Sequence, residues 1–214
     1  AFNSGLPAPS FYVEGIEDIQ SQDFTYANDF HLTVKHLAVA KLNDEGMELR
    51  SHPVMLSKDS SLAGLKGVRN GIQFDTNLLG EFHVAGSGAG RESTASGLIS
   101  DIFALSKSNG SSPMRYPDFS KKPNLLNFDD LVFKYYVYLE VKDEPGVLAL
   151  ISKIFADQSI GFDKVIQKDQ LDNSNVPVVI FTDPIVENDM QTVLQDLNNH
   201  PVILNSKIIR IEDL

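Results

Sequence analysis

The feature that most constrains the fold of this chain is the order of hydrophobic patterns toward its end. Short stretches rich in aromatic and β-branched residues alternate in polarity as strands do, and two stretches between them repeat apolar residues at helical spacing. The predicted order is strand, helix, strand, strand, helix, strand, over residues 133–141, 147–155, 160–167, 176–182, 186–197 and 203–211. This order predicts the split βαβ, ferredoxin-like arrangement, in which two helices cover one face of an antiparallel four-stranded sheet.

The residues before this pattern predict a different kind of structure, with strands first and a helix late. Candidate strands, which we expect to form a mixed sheet, lie at residues 32–40, 47–56, 71–77 and 82–85. A glycine-rich stretch, Gly86-Ser87-Gly88-Ala89-Gly90, then leads into a predicted long helix at 93–105. We therefore expect an α+β fold, with a partial mixed sheet and a long helix followed by the ferredoxin-like part.

Residues 106–128 separate the two parts. They show no regular spacing of apolar residues and contain Gly, Ser, Asn and three prolines, which favour turns and extended linkers. We expect a first domain at 1–105, a linker at 106–128 and a second domain at 129–214.

The composition excludes several classes of function. A net charge of −11 opposes binding to a phosphate backbone, and no apolar run approaches the ~20 residues that span a bilayer. The absence of cysteine excludes disulfides, cysteine-ligated metals and thiol nucleophiles, and it suits a reducing cytoplasm. Residues 1–4 carry no basic segment before an apolar run, so they do not predict a secretory signal. We expect a cytoplasmic protein that binds neither nucleic acid nor membrane.

Two stretches are candidate binding sites. The glycine stretch joins a strand to a helix, and free amides at a helix start favour a negative group, although GSGAG is not the GxGxxG pattern and a plain tight turn explains it equally well. In the segment from Gly88 to Gly90, the two glycines would let backbone approach a flat ligand closely. The turn at 143–148 also leaves amides free to hold a small carboxylate, although a simple helix cap is the commoner explanation of such a turn.

The histidines and Lys35 do not predict a reactive centre. The five histidines lack the HExxH spacing and neighbouring carboxylates of a metal site, so no metal is expected. We expect His36 to pack within its strand and His52 to be hydrogen-bonded at a strand end, and Lys35 to reach solvent.

Two resemblances to known families run along the chain. Residues 133–214 resemble an ACT domain, an amino-acid-sensing module, through the strand that ends in DEPGVL, the SIGFDKVIQ segment and the βαββαβ order. Residues 11–105 resemble the carboxyl-terminal part of the catalytic domain of homoserine dehydrogenase, through FYVEGIEDIQSQDFTYA, VKHLAVA, SHPVML, SLAGLKGVRNGI and GSGAGRESTASGLISDI. The matches follow the order of that family and include the linker.

The resemblance implies an NAD(P)-dependent oxidoreductase that interconverts homoserine and aspartate semialdehyde in threonine and methionine synthesis. Family members begin with a Rossmann NAD(P) domain, and the catalytic lysine lies just before the point that matches Ala1. We therefore expect no catalytic residue in this chain, no turnover by the chain alone, and NAD or NADP bound mainly by an upstream domain. The resemblance implies cofactor contacts at Gly88, Ala89, Gly90 and Thr94.

For the ACT part, the resemblance implies an amino-acid effector, with threonine the first candidate, bound where two such domains meet. The implied effector residues are Asp143, Glu144, Pro145, Gly146, Val147 and Leu148, and the implied assembly is at least a dimer. Asp183 departs from the histidine often found at its position, which bears on threonine sensitivity. The alternative functions are a non-catalytic amino-acid-binding regulatory protein whose first part is a dimerisation platform, and another enzyme linked to an ACT domain.

Overall fold

The computed structural model describes residues 11–107, 123–167 and 175–214. Of these, residues 11–56 and 123–214 form one unit, here called the larger unit, and residues 57–107 form the smaller unit. In chain order the elements are β1 (Tyr12–Val13), α1 (Ser21–Asp29), β2 (Leu32–Leu42), β3 (Met47–Ser57), β4 (Arg69–Thr76), β5 (Gly80–Ser87), α2 (Arg91–Lys107), a 3-10 turn (Phe128–Asp130), β6 (Val132–Lys142), α3 (Val147–Asp157), β7 (Phe162–Gln167), β8 (Asn175–Thr182), β9 (Ile185–Val186), α4 (Glu187–Asn198) and β10 (Ile203–Glu212).

The larger unit is built on an eight-stranded sheet. Its main path is β1-β3-β10-β6-β8-β7, with β2 paired to β3 and β9 paired to β6. The pairs β10–β6, β6–β8 and β8–β7 are antiparallel. In contrast, β3 runs parallel to β10, with Val54 opposite Arg210 and Met55 opposite Ile211. A strand from the first part of the sequence therefore extends the sheet formed by the last part.

The helices α3 and α4 cover one face of this sheet. On α3, Val147, Ile151 and Phe155 are buried at a spacing of four residues, which places them on one side of the helix. On α4, Met190, Val193 and Leu197 are buried at spacings of three and four residues, which also places them on one side of the helix. These six side chains pack in one cluster with alternate residues of β6 and β8. This cluster is the main hydrophobic core.

The opposite face of the sheet is covered by α1 and β2. Ala27 of α1 and Val34 of β2 pack in a second cluster with Tyr136 and Tyr138 of β6 and with further buried residues of the sheet. The carboxylate of Asp23 in α1 is buried, accepts the Gln20 amide at 2.7 Å and forms an ion pair with Lys207 of β10. Because both faces are covered, the five residues at 135–139 are all buried rather than alternating.

The smaller unit contains an antiparallel hairpin and a helix. Strands β4 and β5 pair from Arg69 opposite Ser87 to Thr76 opposite Gly80. The Ser61 hydroxyl donates to the Gln73 side chain at 2.8 Å. Helix α2 follows β5 after a short turn and has no buried residue.

The mixed α+β fold is confirmed, with four α-helices among the described residues. The strand and helix order predicted from residue 133 onward is also observed. The first part differs from expectation: its four strands do not form one sheet, because β2 and β3 join the sheet of the larger unit while β4 and β5 pair only with each other. Helix α1 was not predicted, and along β2 only Val34 is buried, whereas His36 is exposed and does not pack within its strand.

Candidate functional site

The first candidate site is the turn between β5 and α2. It contains Gly88, Ala89 and Gly90, and Thr94 lies in the first turn of the helix, so the structure brings the four predicted cofactor residues into one short segment. All four are exposed. Gly90 has a φ of +129°, a backbone conformation that side-chain-bearing residues rarely adopt, which explains glycine there.

Hydrogen bonds within the turn fix its shape. The Ser87 hydroxyl donates to the carbonyl of Ala89 at 2.8 Å, and the Ser93 hydroxyl donates to the carbonyls of Gly90 at 3.0 Å and Ala89 at 3.2 Å. The Thr94 amide also donates to the Gly90 carbonyl, at 3.0 Å. The carbonyl oxygens of Ala89 and Gly90 are therefore engaged internally, which leaves fewer acceptors to repel an anionic ligand.

The hairpin supports the turn from the side. The Gly88 amide donates to the Val68 carbonyl at 2.7 Å. A Cβ added to Gly88 would lie 2.0 Å from Nδ2 of Asn70, so the Asn70 carboxamide lies directly against this glycine. A Cβ added to Gly86 would meet no atom within 4 Å. Close approach by a flat ligand is therefore open at Gly86, whereas at Gly88 the space is taken by Asn70, a residue that sequence reasoning missed.

The second candidate site is a cavity of about 310 Å³ in the larger unit. All six predicted effector residues line it, in the turn between β6 and α3. The rest of the lining includes Val141, Val176 and Val178 from the sheet, with Lys142 and Gln167. An apolar floor with a few polar groups at the rim is typical of sites that bind small molecules.

The turn that lines this cavity has a defined backbone geometry. The Glu144 amide donates to the Lys142 carbonyl at 2.9 Å, and the Val147 amide donates to the Glu144 carbonyl at 3.3 Å. Gly146 occupies the position before the helix with a φ of +94°, a conformation that favours glycine. Pro145 precedes this residue and lies outside α3.

A family model described as homoserine dehydrogenase matches residues 1–103. The homoserine dehydrogenase of Helicobacter pylori is 34% identical over 202 residues, which cover 94% of this chain and 48% of that protein. The homologues of this chain are homoserine dehydrogenases. The homoserine dehydrogenase of Pseudomonas aeruginosa is 31% identical over 227 residues, and this match covers 100% of this chain and 51% of that protein.

A solved homoserine dehydrogenase structure, from Thiobacillus denitrificans, superposes with a TM-score of 0.79 at 26% identity. It covers 94% of this chain, and this chain covers 47% of it. The chain thus spans about half the length of the homoserine dehydrogenases it matches.

The larger unit also contains two buried arginines that could not be singled out from the sequence, Arg50 and Arg210. Arg210 of β10 binds Glu187 at 2.5 and 2.7 Å and Glu14 at 2.7 Å, and its guanidinium lies 4.9 Å from the ring centre of Phe128. Arg50 of β3 binds Glu212 at 2.6 Å. These contacts connect residues near the start of the chain to β10 and α4.

Burial and charge shift the pKa values of groups in this network. Burial alone would raise the pKa of Glu212, but Arg50 and Lys41 outweigh it and hold that pKa below its ordinary value. Burial, with Arg210 and Arg50 nearby, lowers the pKa of His52 to about 4 despite its bond to the Pro53 carbonyl. His52 is therefore neutral, and it is hydrogen-bonded as expected, although it lies inside β3 rather than at a strand end.

Within residues 11–107, 123–167 and 175–214, no group of three His, Cys, Asp or Glu side chains is arranged to hold a metal ion. No helix in those same ranges is both long and apolar enough to cross a membrane.

Proposed function

We propose that this chain is part of an NAD(P)-dependent homoserine dehydrogenase that interconverts homoserine and aspartate semialdehyde for threonine and methionine synthesis. The observation that carries the proposal is the match to homoserine dehydrogenases over nearly the whole chain, with a TM-score of 0.79 to a solved member. The lack of cysteine suits the cytoplasm as its location.

The role we propose for the turn between β5 and α2 is contact with NAD or NADP. The cofactor, when bound, accepts or supplies the hydride. Residues Gly88, Ala89, Gly90 and Thr94 would form a surface that keeps water from the transferring hydride. The open space over Gly86 and the internally satisfied carbonyls of the turn both favour this role. We assign no catalytic acid or base to the described residues and expect that group elsewhere in the full encoded protein.

Assays of hydride transfer test this function. The full encoded polypeptide should reduce NAD or NADP when homoserine is supplied, and this chain alone should not. Turnover by this chain alone would contradict the assignment of the acid/base to another segment. No hydride transfer by the full polypeptide with either cofactor would reject the function.

We further propose that residues 132–212 form an ACT-type module that binds an amino-acid effector. The strand order β10-β6-β8-β7, with two helices on one face, is that of the split βαβ arrangement. The cavity at the β6–α3 turn combines backbone at a helix start, which suits a carboxylate, with the side chains of Asp143 and Glu144, which suit an ammonium group. These are the two charged groups of a free amino acid, and threonine is the first candidate.

The effector cavity also bears on assembly. Gln167 lines the cavity and belongs to β7. This strand is the last on the main path of the sheet, where it pairs with β8. A second copy beside β7 would enclose the ligand between two modules, so we propose a homo-oligomer of at least two chains. An effector bound there would shift an equilibrium between two arrangements by its unequal affinity for them.

Calorimetry with threonine, methionine, isoleucine and lysine tests the effector proposal. We expect heat of binding with threonine, and silence with all four would reject the effector role. A second candidate function, a non-catalytic amino-acid sensor, is favoured by the presence of the cavity without an assigned catalytic residue. Effector binding together with no hydride transfer by the full polypeptide would identify that alternative.

A further inference from the structure

Asn70 lies beside the glycine turn, where its side chain is accessible to a ligand. It is in β4, opposite Gly86 in the strand register, and its carboxamide lies against Gly88. The residue is exposed. Across the described ranges, its side chain has no hydrogen-bonding partner. One amide donor group and one carbonyl acceptor are therefore presented next to the open space over Gly86.

The chemistry of this group favours a particular ligand. A neutral carboxamide donates and accepts at once, so its best complement is another carboxamide, which forms two parallel hydrogen bonds with it. A phosphate would instead favour Arg or Lys, which add charge to the hydrogen bonds. The nicotinamide ring carries a carboxamide beside the carbon that exchanges the hydride, so holding that group orients the reacting carbon.

We propose that Asn70 recognises the carboxamide of the nicotinamide ring and thereby sets the orientation of the ring over the turn at Gly86. The contact with Gly88 holds the Asn70 side chain at the edge of the turn, and the absence of a Cβ at Gly86 leaves room for the ring. This inference rests on the proposed cofactor role of the turn, and it adds a residue that discriminates among nicotinamide analogues.

The test compares the natural cofactor with its 3-acetylpyridine analogue, in which a methyl ketone replaces the amide. Dissociation constants for both are measured by fluorescence titration of the full encoded polypeptide, so the readout does not depend on turnover. We expect the wild-type protein to prefer the amide cofactor by about fivefold to tenfold, because the ketone cannot donate to Asn70 Oδ1.

Two variants separate recognition from a structural effect. Asn70→Ala should bind both compounds with equal affinity, within about twofold. Asn70→Asp keeps an acceptor for the amide group of the natural cofactor but repels the oxygen of the ketone analogue. This variant should therefore bind both compounds more weakly, while its preference for the amide cofactor stays the same or increases. Gln73→Ala, on the same strand but bonded to Ser61, is the matched control and should keep the wild-type preference.

The outcomes distinguish this inference from the function it rests on. A preference for the amide that survives in Asn70→Ala would overturn the role of Asn70, as would equal binding of the two compounds by the wild-type protein. Failure of the full polypeptide to bind or use either NAD or NADP would instead overturn the cofactor role of the whole turn.

Discussion

Arg210 donates hydrogen bonds to both carboxylate oxygens of Glu187, at 2.7 and 2.5 Å, and each side chain is only 2% exposed. The pair joins β10 to the first residue of α4. A buried ion pair adds little net stability when compared with an apolar pair, but loss of one partner leaves an uncompensated charge inside the protein. The pair therefore makes the two elements strongly dependent on each other.

Replacement of Arg210 by methionine should lower the free energy of unfolding by about 3–5 kcal/mol, because the Glu187 carboxylate stays buried without its partner. Urea denaturation of the two proteins measures the difference. The double variant with Glu187→Gln should recover part of the loss. Lys134→Met, which removes a cation that is 47% exposed, is the control and should cost about 1 kcal/mol or less. Equal losses for Arg210 and Lys134 would contradict the buried role of Arg210.

The stability of the larger unit should fall as the pH falls from about 6.5 to about 4. In this window the unfolded chain protonates His52, whose pKa is lowered to about 4 in the folded state by burial. Because the unfolded state binds more protons, acid favours it, by up to about 3 kcal/mol across the window. The lowered pKa values of Glu187 and Glu212 act at lower pH, since their contribution is lost as they become protonated below about 4.5.

Denaturation midpoints measured at pH 7, 6 and 5 test the role of His52. His52→Gln removes the titrating group and keeps an acceptor for Arg50, so its stability should vary much less over that range than that of the wild-type protein. A pH profile that is the same in both proteins would contradict the assignment to His52.

A negative charge in the effector cavity should weaken binding of an amino acid. Leu148 is 42% exposed and lines the cavity, so Leu148→Asp places a carboxylate beside the proposed position of the effector carboxylate. We expect at least a tenfold rise in the dissociation constant by calorimetry, or about 1.4 kcal/mol. Leu204, which is 46% exposed on β10 and outside the cavity lining, supplies the matched control Leu204→Asp. Similar weakening in both variants would argue against this cavity as the site.

Replacing Gly88 by alanine should displace the Asn70 side chain, whereas replacing Gly86 by alanine should not. In Gly88→Ala the new methyl group would lie 2.0 Å from Asn70 Nδ2, so the flexible side chain must move away, whereas in Gly86→Ala the methyl group meets no atom within 4 Å. The pattern of nuclear Overhauser effects from the Asn70 side-chain amide should change in the first variant and stay the same in the second. Absence of any such effect between this amide and residue 88 in the wild-type spectrum would disprove the contact itself.

Features encoded in short stretches of sequence were the ones that could be predicted. The turn at Asp143–Leu148 is local, so its residues could be grouped before the cavity was known, and the structure places all six around it. The helix α3 could be predicted because Val147, Ile151 and Phe155 repeat at helical spacing. The role of these residues in binding stays a prediction.

Features that depend on distant contacts could not be predicted. Arg50 and Arg210 resemble ordinary surface charges in the sequence, since arginine is rarely fully buried without partners. Two of their partners, Glu212 for Arg50 and Glu14 for Arg210, lie far away along the chain. Helix α1 buries only Asp23 and Ala27, so it has little apolar periodicity. Asn70 was missed because its contact with Gly88 depends on the pairing of β4 with β5.

The parallel pairing of β3 with β10 has a consequence for synthesis on the ribosome. Val54 pairs with Arg210, which comes much later in the sequence, so the sheet cannot be completed until β10 has been translated. In the nascent polypeptide, Val34 and Met55 lack the later strands that bury them. Long-range pairing of this kind is slow and leaves intermediates prone to aggregation, so the early strands are exposed to aggregation until β10 joins them.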